Sequence, residues 1–286
     1  MGKLFFLSIF FIFSTVHAQI SYVTTIHPFK EILYSLVKDR ATVYSILPPG
    51  ASPHTYELKP SDIKKVKQAK ALFWGAENLD KWVLSLGSPL PIELFRLLPD
   101  SSRLQIMASG FNNNSEFIGM DPHFWTDPLA AASILPALQD TLCSIDPKGE
   151  NIYKKNSGQF AAQLDSLYHT ISIASESIQN SNVLLSHPFF QYYLKRFHIN
   201  LAGIIEPIPG KEPTPKELQE IIRLVKKQNV KAILTHSQLS DRPAQLVSES
   251  TGVKQIELDP IGGSTGKTTY KEILLSNTRI LIEALK

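Results

Sequence analysis

The chain has 286 residues, 43% of them hydrophobic and 19% charged, with 29 Lys and Arg against 26 Asp and Glu. A net charge of +3 without a run of five basic residues argues against a nucleic-acid-binding stripe. The single cysteine, Cys143, excludes an intramolecular disulfide framework and a cysteine-cluster zinc site. Any metal here must rely on histidine and carboxylate.

The N-terminus reads "MGKLFFLSIFFIFSTVHAQ". Lys3 gives a positive start. Residues 4–13 form an apolar run too short to span a bilayer, and Val16-His17-Ala18 is a small-residue cleavage pattern. Residues 1–18 are therefore expected to be a cleaved signal peptide. No cysteine follows that run, so the expected location is the periplasm, without a lipid anchor.

Next come a strand over 20–26, a helix over 28–37, a strand over 41–47 closed by "PPG", a helical stretch over 61–69 and the apolar run "KALFWGA". This β-α-β order predicts a mostly parallel sheet with helices on its faces. From 147 to 178 the pattern changes. Ile152, Phe160, Leu164, Leu167, Ile171 and Ile178 recur at helical spacing, and Gly158 is the only glycine near the middle. One helix much longer than average is expected there. The β-α-β pattern then restarts, with strands at 181–186, within "FHINLAGII", at 230–235 and in "KQIELD". Thr214, Pro215 and Glu217 form the start signal of a helix, Gly252 stops another, and 270–285 is a terminal helix. The expected architecture is α/β: an N-terminal lobe over 19–146, a bridging helix over 147–179 and a C-terminal lobe over 180–286.

Seven histidines follow the signal peptide. His54 lies just beyond the strand at 41–47, while His187 and His236 directly follow strands, and Asp259 closes "QIELD". In parallel α/β sheets, ligands bind outside the carboxyl ends of strands. His27 also follows a strand and is a weaker candidate. His169, inside the long helix, and His198, between two elements, are read as structural.

The stretches "PPGASPHTYELKPSDIKKV", "MDPHFWTDP", "LSHPFFQYYLKRF" and "IELDPIGG" occur in this order. Over roughly residues 19–286 the chain resembles the ZnuA/TroA-like solute-binding proteins of bacterial ABC metal importers (cluster A-I). The resemblance implies two α/β lobes bridged by one long helix. It implies a metal site of His54, His123, His187 and Asp259, two ligands from each lobe; the alternative for "LDPIGG" is a strand ending in a turn, with Asp259 as a helix or turn cap. It also implies delivery of the ion to a membrane permease driven by a cytoplasmic ATPase, by a monomer that is not an enzyme. Three imidazoles and one carboxylate suit tetrahedral Zn(II). A bidentate carboxylate would admit Mn(II) or Fe(II), so the transported ion is expected to be one divalent transition metal, zinc first. Glu57, Asp121, Asp127 and Glu206 are candidates to orient the ligating rings.

Two departures bear on the site. Zinc-specific members often carry a His- and acid-rich loop before the second histidine motif. Here that loop is "SGFNNNSEF", which argues against a zinc-only specificity. Family members commonly have Glu at the position of His236, so this histidine either packs beneath the site as a neutral ring or alters the ligand set.

The stretch "GGSTGKTTY" resembles a phosphate-binding loop but fails its spacing, since Ile261 stands where the first glycine is required. It is read as a loop leading into the last helix. The alternatives are a zinc hydrolase, which would need an open metal position and a general base, and an exported adhesin or structural protein stabilised by metal. No H-E-x-x-H is present.

Overall fold

A computed structural model of the chain describes residues 20–107, 117–238 and 241–286. The expected signal peptide and all of the histidine-free loop except Phe117 lie outside the described residues.

The first lobe opens with β1 (Ile20–Thr24), α1 (His27–Val37), β2 (Ala41–Ser45), α2 (Pro60–Gln68), β3 (Ala71–Trp74), α3 (Glu77–Asp80) and β4 (Pro91–Glu93). These strands form one parallel sheet in the order β2-β1-β3-β4. All four residues of β3 are buried, as a central strand covered on both faces requires. An antiparallel pair, β5 (Gln105–Met107) and β6 (Phe117–Met120), leads into α4 (Pro128–Ser133) and α5 (Leu135–Ile145).

The bridging helix α6 spans Glu150–Ser175 and is flanked by 3-10 turns at Pro147–Gly149 and Glu176–Ile178. It buries Tyr153, Phe160, Leu164, Leu167 and Ile171, one stripe at three- and four-residue spacing. That stripe packs on α1, α4 and α5 of the first lobe and on the terminal helix of the second. Its start is pinned by Asp146, which accepts two hydrogen bonds of 2.8 Å from Arg40 and one of 2.6 Å from Tyr153.

The second lobe contains β7 (Asn182–Leu185), α7 (Gln191–Arg196), β8 (Asn200–Ile204), α8 (Pro215–Lys227), β9 (Ala232–His236), α9 (Arg242–Thr251), β10 (Gln255–Leu258) and α10 (Tyr270–Leu285). Its sheet is also all parallel, in the order β10-β9-β7-β8. The helix signals read from the sequence are present. Thr214 and Glu217 cap α8 reciprocally, and Gly252 closes α9 in the left-handed region at φ 75°. A second capping box, Thr269 with Glu272, starts α10.

Hydrogen bonds stitch the lobes together beside α6. The Trp125 indole donates to the Pro260 carbonyl at 2.8 Å, and the Tyr270 hydroxyl donates to the Trp125 carbonyl at 2.6 Å. Arg196 donates to Asp127 at 2.8 Å. The Tyr192 hydroxyl accepts from the Leu104 amide and donates to the Asp121 carbonyl. No helix among the described residues is long and apolar enough to cross a membrane.

Candidate metal centre

His54, His123 and His187 converge between the lobes, with ligand atoms all within 4.8 Å of one another. His54 comes from the loop after β2, His123 from the loop after β6, and His187 from the loop after β7. Two of these strands end at the sheet edge where parallel α/β folds place ligands.

Each ring is held by a distinct device. The loop around His54 is fixed by Trp82, whose indole donates to the Pro53 carbonyl at 2.7 Å. It is also fixed by Asp62, which accepts from the Tyr56 hydroxyl and the Lys59 amide. The His123 ring donates from Nδ1 to Asp121 Oδ1 at 2.7 Å, and the same oxygen accepts the His123 amide at 2.9 Å. The His187 ring faces the Glu206 carbonyl with Nδ1 at 3.1 Å. A carbonyl or carboxylate only accepts, so Nδ1 must carry the proton in both rings and Nε2 the lone pair. This is the tautomer a metal ligand needs.

The Nε2 atoms of His54 and His187 are 3.3 Å apart. Two nitrogens on one tetrahedral zinc, each bonded at about 2.0–2.1 Å, stand ~3.3–3.4 Å apart. The spacing therefore fits a shared cation. A second observation agrees. Asp121 is fully buried, and its Oδ2 has no hydrogen-bond partner. A cation held by His123 gives that buried carboxylate its countercharge.

The His54 and His187 rings are set up to be neutral. Burial, then the nearby His123 and His236, push His54 down to about 3. Burial and the same ring of neighbours hold His187 well below the usual histidine range. A proton on any of these rings would repel a proton on the next, whereas one dication satisfies them together. The space beside them is a cavity of about 240 Å³, lined also by Ile106, Ile118, Pro122, Pro207 and Ile208. Apolar walls strengthen electrostatic interactions inside.

Asp259, expected as the fourth ligand, is not in this group. Its Oδ1 accepts the amides of Ile261 at 3.2 Å and Gly262 at 2.8 Å, and Oδ2 pairs with Lys267 at 3.2 Å. The carboxylate thus closes the turn after β10. Lys267 folds back onto it, so "GGSTGK" forms a self-contained loop and no phosphate cradle. Gly262 and Gly263 adopt φ of 67° and 86° there.

The orienting carboxylates divide. Asp121 orients His123 by its side chain, and Glu206 serves His187 by its backbone carbonyl. Asp127 instead caps α4 and pairs with Arg196, and Glu57 is exposed. His27 hydrogen-bonds to the Thr268 carbonyl at 2.7 Å, away from the cluster. His169 is exposed on α6 beside Asp165, and His198 occupies a left-handed turn at φ 59°. Sequence reasoning missed Trp82 and Gln238. Gln238 alone left a signal, as a polar side chain two residues past His236.

The profile of the family described as zinc-uptake complex component A, periplasmic (ZnuA), matches residues 23–284. The zinc-binding protein AdcA of Streptococcus pyogenes is 23% identical over 285 residues, covering 91% of this chain. The chain spans about half, 55%, of that protein's length. The metal ABC transporter substrate-binding lipoprotein SloC of Streptococcus mutans is 27% identical over 252 residues, covering 84% of this chain and 80% of SloC. A Zn(II)-bound AdcAII variant from Streptococcus pneumoniae superposes with a TM-score of 0.78 at 27% identity, covering 94% of this chain and 99% of that one. Two parallel α/β lobes, a bridging helix and a histidine cluster between them agree with a match over nearly the whole chain: the protein belongs to the ZnuA family.

Proposed function

We propose that the protein is a solute-binding protein that captures one divalent transition metal ion and hands it to an ABC permease with its ATPase for import. It binds its cargo and does not transform it. His54, His123 and His187 hold the ion, zinc first and Mn(II) or Fe(II) after it. The protein works as a monomer in the periplasm, with residues 1–18 removed as a signal peptide. The observation that carries this reading is the cluster itself: three imidazoles from two lobes, with two facing Nε2 atoms at the spacing of a shared zinc. The matched relatives are metal-binding and metal-transport proteins, which supports the same reading. The purified protein is expected to take up one zinc per chain with a Kd of nanomolar order, about −12 kcal/mol. Equilibrium dialysis showing no stoichiometric uptake of Zn(II), Mn(II) or Fe(II) would sink it.

A further inference from the structure

We infer that His236 supplies the fourth donor to this ion, through Nε2, in place of Asp259. The inference rests on the metal-binding reading and specifies its ligand set.

His236 ends β9, the strand beside β7, and the pairing of Leu234 with Leu185 carries it to the same sheet edge as His187. Their ring centroids are 6.0 Å apart. The edge of one ring meets the face of the other between His236 and Phe189, at 4.4 Å, which fixes the plane of the imidazole. Its Nδ1 lies 2.8 Å from Gln238 Oε1. The Gln238 amide nitrogen in turn reaches Asp259 at 3.4 Å, so the amide oxygen is free to accept from His236. The proton is thereby placed on Nδ1 and the lone pair on Nε2. That Nε2 is buried and has no partner. His236 is only 6% exposed. The scheme repeats what His123 and His187 show: Nδ1 tied to a protein acceptor, Nε2 left over.

The two contenders for the fourth position differ in what they must give up. Asp259 would have to leave two backbone amides, Gln238 and Lys267. Each hydrogen bond to a charged group is worth about 1.5–3 kcal/mol. His236, like Asp259, lies outside the group whose ligand atoms fall within 4.8 Å of one another, but it breaks nothing at Nε2 and has only to close the gap to the other three rings. The exchange also has a chemical meaning. Four neutral imidazoles make an all-nitrogen set, which suits Zn(II), Co(II), Ni(II) or Cu(II) and serves Mn(II) poorly.

The test loads the full-length secreted protein with zinc alone and counts imidazoles by X-ray absorption. Four nitrogens with imidazole outer-shell scattering are expected in the natural protein, and three in H236Q. By chelator competition, H236Q is expected to weaken zinc binding at least tenfold, and D259N by less. Three imidazoles plus an oxygen in the natural protein overturns the inference, as does a larger loss in D259N than in H236Q. Failure of H236Q to fold leaves the count on the natural protein decisive. A natural protein that binds no zinc defeats the metal-binding reading itself, a result distinct from any of these.

Discussion

His123 is oriented by a carboxylate two residues away, whereas His187 is oriented by a carbonyl nineteen residues along the chain. The nearest supports of the His123 ring sit within one short segment, Asp121, Thr126 and the cap at Asp127, while Tyr192, Arg196 and Pro260 also tie that loop to the second lobe. Around His187 and Asp259 the supports come from separate segments, whereas His236 is held, like His123, from two residues away. Glu206 serves His187, Gln238 serves His236, and Lys267 occupies Asp259. A local scaffold positions a ligand whatever the rest of the lobe does. A dispersed one lets a single substitution, such as the histidine at 236, redistribute the roles of its neighbours.

The largest effect that would sharpen this comparison is loss of a ligand from either half. H123A and H187A are each expected to weaken zinc binding at least a hundredfold, about 2.7 kcal/mol, while H169A leaves it unchanged. Isothermal titration with zinc checks this, and equal behaviour of H187A and H169A would break the assignment. Next is the pair of orienting groups. D121N should cost about tenfold in affinity, because the carboxylate itself holds the His123 ring. E206Q should cost less than threefold, because there the backbone carbonyl does the holding. An equal loss in both would erase the distinction between local and dispersed support.

Smaller effects test stability. R196A removes the cation that faces the buried Asp127 from the other lobe. It should lower stability by about 1–3 kcal/mol in a denaturant melt, with zinc affinity nearly unchanged. Lowering the pH should also reduce stability. Folded, His54 and His236 stay neutral until about pH 3 and about pH 4. Unfolded, they take up protons near pH 6.5. Between those limits the unfolded chain binds more protons, so the metal-free protein loses stability as pH falls from about 6.5. Each ring contributes at most ~1.4 kcal/mol per pH unit. Thermal melts at pH 7.5 and 5.0 should show the drop, with a smaller drop in a His54→Gln, His236→Gln double variant. Saturating zinc should raise the melting temperature at pH 7.5, since it binds only the native state.

The contrast also explains what could be read before the structure. Strand order, the long helix and the capping box at Thr214 were legible because hydrophobic spacing and cap chemistry are local signals. His187 was legible because it directly follows a strand and His54 because it lies just beyond one, while His123 was named only through the resemblance of "MDPHFWTDP" to the family's motif. The occupation of Asp259 was legible only as the alternative of a turn cap. It depends on Lys267 turning back across a glycine loop and on Gln238 reaching over from the turn after β9, contacts between segments that hydrophobic spacing does not report. Asp127 misled for the opposite reason. Its nearness in sequence to His123 suggested an orienting role, but a residue just before a proline-initiated helix is claimed first as a cap. The antiparallel pair β5 and β6 escaped because its strands are only three and four residues long.

The bond from the Trp125 indole to Pro260, and that from the Tyr270 hydroxyl to Trp125, join the loop bearing His123 to the loop that follows Asp259. The indole is 1% exposed, so the link is dry. Separating the two loops would break both bonds where bulk water has little access to replace them. A shift of the 260–268 turn is therefore expected to be felt at the loop that carries His123.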